Sequence, residues 1–514
     1  MTVVRMLSPL RAAVPHSRAR SGSQSVAAID LGSNSFHMIV ARASNGDLHV
    51  LDRLQEMVRL AGGLDARGYL DKASRLRALE SLHRFGERLR GMPRGAVRAV
   101  GTDTFRRAHN AKKFLAAAER ALGHPIEVIS GQEEARLIYQ GVARDLADDT
   151  QPRLIVDIGG GSTELIVGQR LETRLAESLH MGCVAFSTKY FARGRVTADA
   201  WRRAATAAQL ELQLVEKAFR AAGWGAVYGT SGTIRTVGAV ARAHGWTKGE
   251  ITPGALEKLR EALLGAGDLT RVPLSGLNPD RAPIFPGGVV ILATMFEALG
   301  IEKMEVATGA LREGLLYNLL GRIRHTDARD RTIAALTARY QLDTAQAERV
   351  QQTAARCFEE VADNWELDEA DAQALSWAAR LHELGLAIAH TKYHRHGAYL
   401  VANSDLPGFS REELGLLATL IRSHRRRFPL RVFEDLPKRE RRKAKRLAVL
   451  LRLAVLLHRG RTPIDLPSIK LDADARRLRV QFPRGWLRKN PLTYADLARE
   501  VHYLGDAKYA LTFR

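Results

Sequence analysis

Cysteine is almost missing from this chain: of 514 residues only Cys183 and Cys357 carry a thiol, far apart in sequence. That excludes a disulfide framework and a cysteine-rich zinc site, and it fits a reducing, cytoplasmic compartment. No apolar run reads as long enough to span a bilayer. Two common phosphate motifs are also missing. There is no Gly-x-x-x-x-Gly-Lys-Ser/Thr stretch, which excludes a P-loop enzyme, and no Gly-x-Gly-x-x-Gly dinucleotide fingerprint. Repeat arrays and low-complexity segments do not occur either. Acids are scarce beside bases, 56 Asp and Glu against 78 Lys and Arg, leaving a net charge of +22. Such a surplus asks for an acidic partner: nucleic acid, anionic lipid or a polyanionic substrate. Part of it tracks the Arg, Ala and Leu richness of a GC-rich coding sequence, which carries no function.

What remains is the composition of a soluble globular protein, 46% hydrophobic and 26% charged, in a chain too long for one core. Met1 to Gln24 holds Arg5, Arg11, Arg18 and Arg20 and no acid. It lacks the compact apolar segment of a secretory signal and reads as a basic, disordered tail.

The most informative stretch is Leu154–Val167. A β-branched run climbs to Asp157, Gly159, Gly160, Gly161 and Ser162 make a tight turn, and a second β-branched run leads away. This predicts a hairpin whose tip gathers backbone N–H groups on a phosphate oxygen. An ordinary glycine hairpin explains the stretch equally well when it is taken alone. The design recurs at Val26–Val40, where Asp30 is followed by Gly32, Ser33, Asn34 and Ser35. Two Asp-tipped hairpins predict a duplicated α/β domain with a cleft between the copies.

Helices are expected over Lys72–Leu89, with Leu76, Leu79, Leu82 and Phe85 on one side, over Asn110–Leu122, and from Thr197 to about Ala222. Another helix opens at Ser130, an N-cap with Glu133 at the capping-box spacing, which leaves Glu134 without a structural reason. Ser231 and Gly232 end a further strand at a small-residue turn suited to phosphate. Glycines at 287, 288, 309 and 314 serve close packing or ligand contact equally well. From about Arg322 the pattern turns helical and carries His382-Glu383, His390, His394, His396 and His424, better read as solvated or anion-facing histidines than as metal ligands. Arg425, Arg426 and Arg427 and the run Lys438–Arg446 read as a solvated face or a track for a polyanion. The tail reads as strand, strand, helix, strand.

Chemically this is a phosphoryl-transfer kit, in which charge neutralisation and in-line positioning do most of the work. Asp30 and Asp157, with Glu164 on the strand after the loop, are candidate metal-side carboxylates for Mg²⁺, with Mn²⁺ as a substitute and K⁺ as an additional ion. Arg106 is a candidate for neutralising phosphate charge, and Glu134 for the base that activates water.

Asp30-Leu-Gly-Ser-Asn-Ser, Ser130-Gly-Gln-Glu-Glu-Ala-Arg, Asp157-Ile-Gly-Gly-Gly-Ser-Thr-Glu-Leu, Met181-Gly-Cys-Val, Ser231-Gly-Thr-Ile and Gly309-Ala-Leu-Arg-Glu-Gly together resemble the bacterial exopolyphosphatase and guanosine pentaphosphate phosphohydrolase family. The resemblance runs from about Ala27 to the C-terminus, through Leu381-His-Glu-Leu-Gly and Ser404-Asp-Leu-Pro-Gly-Phe. It implies duplicated actin/Hsp70/sugar-kinase-like (ribonuclease H-like) domains, then an all-α HD-like domain and a small α/β cap. It also implies Glu134 as general base, Arg106 near the reacting phosphate, and a homodimer with a basic channel. His382 is followed by Glu383 where a metal-binding HD pair has Asp, which argues against a second hydrolytic centre. The expected division is 1–25 as tail, 26–138 and 139–320 as the two actin-like domains, 321–466 as the helical domain and 467–514 as the cap. The glycine loop, the stretch Thr104–Asn110 and the basic helical domain favour the exopolyphosphatase branch: hydrolysis of the terminal phosphate of inorganic polyphosphate. Guanosine pentaphosphate is the alternative substrate, and a non-catalytic alarmone or nucleic-acid sensor a more distant one. No specific nucleic acid is expected, and peripheral docking to the inner membrane face stays open.

Overall fold

The computed structural model describes residues 24–44, 47–65, 67–144, 146, 150–268, 274–323, 327–461 and 466–514. The basic tail expected over 1–25 therefore lies almost wholly outside the described residues. Its last two residues already belong to the first strand, β1 (Gln24–Leu31).

β1 turns back through β2 (Phe36–Ser44) into β3 (Asp47–Glu56) as an antiparallel meander. On its other side β1 pairs in parallel with β4 (Val97–Gly101), and β4 pairs with β5 (Ile126–Val128), giving the order β3-β2-β1-β4-β5. The second sheet repeats this plan. β6 (Arg153–Ile158), β7 (Thr163–Gln169) and β8 (Glu172–Leu179) form the meander. β9 (Ala226–Thr230) and β10 (Glu305–Val306) add in parallel, so the order is β8-β7-β6-β9-β10. The duplication expected from the two hairpins is thus a duplication of whole five-stranded sheets.

β1 is buried on both faces, and its period-two alternation shows how. Ala27, Ile29 and Leu31 face one core with the helices α1 (Lys72–Arg88) and α3 (Ala111–Leu122); the short α2 (Asp103–Arg107) sits between them in sequence. Val26 and Ala28 face a second core, shared with Ile155 and Ile166 of the other sheet. That shared core is filled by α4 (Gly131–Ala143) and the helix Leu311–Ile323, which pack on each other. Glycine makes the approach close: a Cβ at Gly314 would stand 1.8 Å from the Leu137 carbonyl oxygen, and one at Gly141 would stand 2.1 Å from that of Ala310. Gly287, Gly288 and Gly309 are hemmed in the same way by neighbouring backbone or side chains, so packing explains these glycines.

Several expected boundaries move. The divisions at 138 and 320 each cut a helix, α4 and Leu311–Ile323, because these are the elements that join the two lobes. In α1 Leu82 and Phe85 are buried but Leu76 is exposed. The long helix from Thr197 is two, Ala198–Gln213 and Glu216–Ala222. One continuous helical stretch, Pro279–Leu299, is long and apolar enough to cross a bilayer, contrary to the reading from sequence. Its apolar window is 72% buried, packed in the core of the second lobe, where an all-round hydrophobic helix belongs.

The helices from Ala328 to Leu457 form the helical domain. The tail folds as expected into β11 (Lys470–Asp474), β12 (Arg477–Gln481), the helix Pro491–Gly505 and β13 (Ala510–Phe513). This cap packs closely on its neighbour: Leu471, Leu478, Val480, Leu497 and Leu511 share one core with the helical domain. That domain docks on the first lobe through buried charge. Gly408 N–H donates to Glu133 Oε2 at 2.8 Å, and Arg322 bonds Glu127 at 3.2 Å and the Gly408 carbonyl at 3.1 Å. Ser130 caps α4 as expected, but the Glu133 carboxylate is spent on Arg136 and Gly408 instead of closing a capping box.

Candidate active site

The two hairpin tips face each other across a cleft between the lobes. Their registers correspond: Asp30, one residue before the end of β1, lies opposite His37, and Asp157, one before the end of β6, lies opposite Glu164. Gly32, Ser33, Asn34 and Ser35 line the cleft from one side, and Gly159, Gly160, Ser162, Ser231 and Gly232 from the other. Gly161 does not line it. A Cβ there would meet Asp103 Oδ2 at 2.0 Å, and one at Gly160 would stand 3.0 Å from Ser33 Cβ. None of these three loop glycines has a positive φ; among the cleft residues that conformation belongs to Ser231, at φ 75°, whose hydroxyl donates to the Ile158 carbonyl at 2.8 Å. The loop glycines thus let two turns touch, which the sequence had suggested only as room for phosphate.

Four carboxylates converge here. Asp30 is pushed up to about 8, by burial first and then by Glu134, with Asp157 adding to it. Asp157 is pushed up to about 7, again by burial and then Glu134. Glu164 is raised well above its usual range by burial, Glu134 and Asp157, although Ser178 Oγ donates to it at 2.8 Å. Buried like charges without a cation hold their protons. Asp30 Oδ1 is buried with no hydrogen-bond partner, an acceptor left over for something else.

Glu134, in the first turn of α4, lines the cleft and is fixed by Arg106, whose Nη1 donates to Glu134 Oε2 at 2.7 Å and to the Ile129 carbonyl at 3.1 Å. Burial raises the Glu134 pKa and outweighs the lowering by Arg106. Arg106 does not line the cleft. It meets the cleft through its hydrogen bond to Glu134, beside the place where the reacting phosphate was expected.

The positive charge facing the cleft comes from Arg235, Arg281 and Arg312, none of which the sequence reading had placed in the site. Arg312 Nη1 donates to His37 Nδ1 at 3.2 Å, so the ring proton sits on Nε2 and donates to Ser35 Oγ at 2.8 Å. Burial, with these three arginines, pushes His37 down to about 3 and keeps it neutral. Gly232 admits Arg281: a Cβ would lie 1.9 Å from its Nη1. The buried Asn34 Nδ2 has no partner and adds a free donor. Carboxylates, guanidinium groups and a free donor lining one cleft suit a phosphorylated ligand with a cation.

The model of the Ppx/GppA phosphatase family matches residues 39–323, and that of Ppx/GppA phosphatase domain III matches residues 328–501. The chain belongs to the Ppx/GppA phosphatase family. As a member of it, it is a hydrolase of phosphoric anhydrides on two actin-like lobes. The chain is 42% identical to a guanosine-5'-triphosphate,3'-diphosphate pyrophosphatase of Aeromonas hydrophila over 92% of its own length and 96% of that protein's. A protein of the same name from Aeromonas salmonicida is 40% identical over the same shares. Among solved structures, an exopolyphosphatase from Cytophaga hutchinsonii superposes with a TM-score of 0.53 at 25% identity, covering 58% of this chain and 98% of that one. A Ppx/GppA family member from Aquifex aeolicus superposes at 0.50 and 25% identity, covering 59% and 100%. The names of the two Aeromonas relatives point away from the exopolyphosphatase branch that the glycine loop and the charge had favoured.

Within the Ppx/GppA helical domain, the expected track residues lie elsewhere than in the cleft. Arg425 and Arg426 line a separate pocket with His382, Glu383 and His424, and Arg427 stands exposed, 3.9 Å from Asp506. Among the described residues no three His, Cys, Asp or Glu side chains converge to hold a metal ion. Arg235 and Arg312 sat in motifs visible in the sequence, Ser231–Arg235 and Gly309–Gly314. Arg281 had no local signal, since only the folded chain brings it to Gly232.

Proposed function

We propose that the cleft hydrolyses the terminal 5' phosphoanhydride of guanosine 5'-triphosphate 3'-diphosphate, releasing orthophosphate. The observation that carries the hydrolytic reading is Glu134: a buried carboxylate of raised pKa, held by Arg106 and facing the cleft. The nucleotide is supported by relatives of that name matching 92% of the chain.

The hairpin tips hold the terminal phosphoryl oxygens, and Arg235, Arg281 and Arg312 balance the charge that moves onto the leaving phosphate. Glu134 takes a proton from water as the water oxygen bonds to the terminal phosphorus and the bridging bond breaks. Neutral His37 keeps Arg312 and Ser35 in place. The donor set fits Mg²⁺ held by one or two carboxylates with water and phosphate completing its shell, since no three-ligand cage exists among the described residues. Asp30, with its free Oδ1, and Asp157 would hold it. When bound it supplies charge neutralisation to the phosphoryl group.

A second reading, inorganic polyphosphate, is favoured by one observation, the net charge of +22. Phosphate release measured side by side from the guanosine nucleotide and from long-chain polyphosphate, each with and without Mg²⁺, separates them. The proposal expects the higher kcat/KM on the nucleotide; a higher value on long chains would replace it with the polyphosphate reading.

A further inference from the structure

The helical domain contains a second built pocket, of about 300 Å³, at the lower end of the range for small-molecule sites. Two buried histidines form its floor. His382 Nδ1–H donates to the Ala379 carbonyl at 2.7 Å, and His424 Nδ1–H donates to that of Ile421 at 2.6 Å. With Nδ1 protonated, each Nε2 presents a lone pair, and neither has a partner although the residues are only 1% and 2% exposed. The rings meet edge to face, 5.5 Å apart. Burial keeps both neutral. The pocket therefore ends in two acceptors that ask for O–H or N–H donors, since no metal-holding set of three ligands exists among the described residues.

Its mouth is cationic. Arg461 is paired with Glu383 and Arg459 with Asp496 at 2.5 Å, so these charges are largely balanced. Arg425 and Arg426 are not: among the described residues no carboxylate stands within ion-pair distance of either. Arg425 lies over the ring of Tyr393, 4.5 Å from its centroid. The turn that carries them is fixed from beneath. The buried Arg452 donates to the carbonyls of Ser423 at 2.5 Å and Arg426 at 2.6 Å, and is itself clamped to Glu500. Arg426 is held in a left-handed conformation, φ 63°. Two guanidinium groups without a carboxylate partner, carried on a turn whose backbone is held from beneath, are the chemistry of a phosphate site.

We propose that this pocket binds a nucleotide, its phosphates on Arg425 and Arg426 and its nucleoside N–H or hydroxyl donors on His382 and His424. It is separate from the cleft, shares no lining residue with it, and does not rest on the reading of the cleft's substrate.

Hydrogen–deuterium exchange on the full chain tests it, with guanosine 5'-diphosphate and inorganic phosphate as probes. The nucleotide is expected to protect residues 379–384 and 421–427 at a concentration at least tenfold below that at which phosphate does. Arg426→Glu, at an exposed position, should abolish that protection while leaving any protection of the hairpin loops at 30–35 and 157–162 unchanged. Protection confined to the hairpin loops would overturn the proposal. So would inorganic phosphate matching the nucleotide, because the histidine floor would then contribute nothing.

Discussion

Replacing Glu134 by Gln removes a negative charge and a proton acceptor while changing little else. The amide oxygen keeps the hydrogen bond from Arg106, now 2.7 Å, and the volume is conserved. Loss of a positioned base costs roughly 10²–10⁴-fold. At 1.36 kcal/mol per tenfold, that is about 3–5 kcal/mol on the barrier. Glu134 is also the second-largest influence, after burial, raising the pKa of Asp30, Asp157 and Glu164. Losing its charge should lower all three and so ease metal binding. The variant is therefore expected to hydrolyse its substrate at least a hundredfold more slowly while binding Mg²⁺ no worse than the parent. Initial rates of phosphate release give the first quantity, and calorimetric titration with Mg²⁺ the second. A kcat within tenfold of the parent would refute Glu134 as the base. Mg²⁺ affinity that collapsed in step with the rate would instead make it a metal ligand.

The same carboxylates predict how the metal-free protein responds to pH. Their folded-state pKa values, about 8 for Asp30 and about 7 for Asp157, lie above the ordinary aspartate value of 3.8. The stability they contribute is full below that value and is lost as pH rises through the folded pKa values, so Tm should fall between about pH 4 and 8. Saturating Mg²⁺ should restore more of it at pH 8 than at pH 6, measured by calorimetry; an equal shift at both would contradict the clustering. Gly314→Ala places a Cβ 1.8 Å from the Leu137 carbonyl, so the two lobe-joining helices must separate. A loss of about 1–3 kcal/mol is expected from urea unfolding, and an unchanged midpoint would contradict the close packing.

The hairpins were legible because β-branched runs, a terminal Asp and a cluster of small residues are local signals, and their repetition exposed the duplication. Glu134 was legible by elimination, as the acid that the N-cap at Ser130 did not explain. The arginines were not. Arg281 reaches the cleft only through the absence of a side chain at Gly232, a relation no sequence window contains. Arg106 was legible as a charge near the site, but its pairing with Glu134 was not, because no local pattern links positions 106 and 134. The limits expected at 138 and 320 fall inside α4 and Leu311–Ile323, because these helices fill the core shared by both sheets and no change of pattern marks a boundary there. The preference for polyphosphate leaned on the glycine loop, on Thr104–Asn110 and on the basic helical domain, yet Gly161 packs against Asp103, and Arg425 and Arg426 line another pocket.

The central claim is that water, activated at Glu134, attacks the terminal phosphorus of a 5' triphosphate. Hydrolysis of guanosine 5'-triphosphate 3'-diphosphate in water enriched in ¹⁸O, with both products analysed by mass spectrometry, tests it directly. The account predicts one ¹⁸O in the orthophosphate released and none in the remaining nucleotide. Label in the nucleotide, or pyrophosphate as the product, would place the attack on a different phosphorus and contradict it.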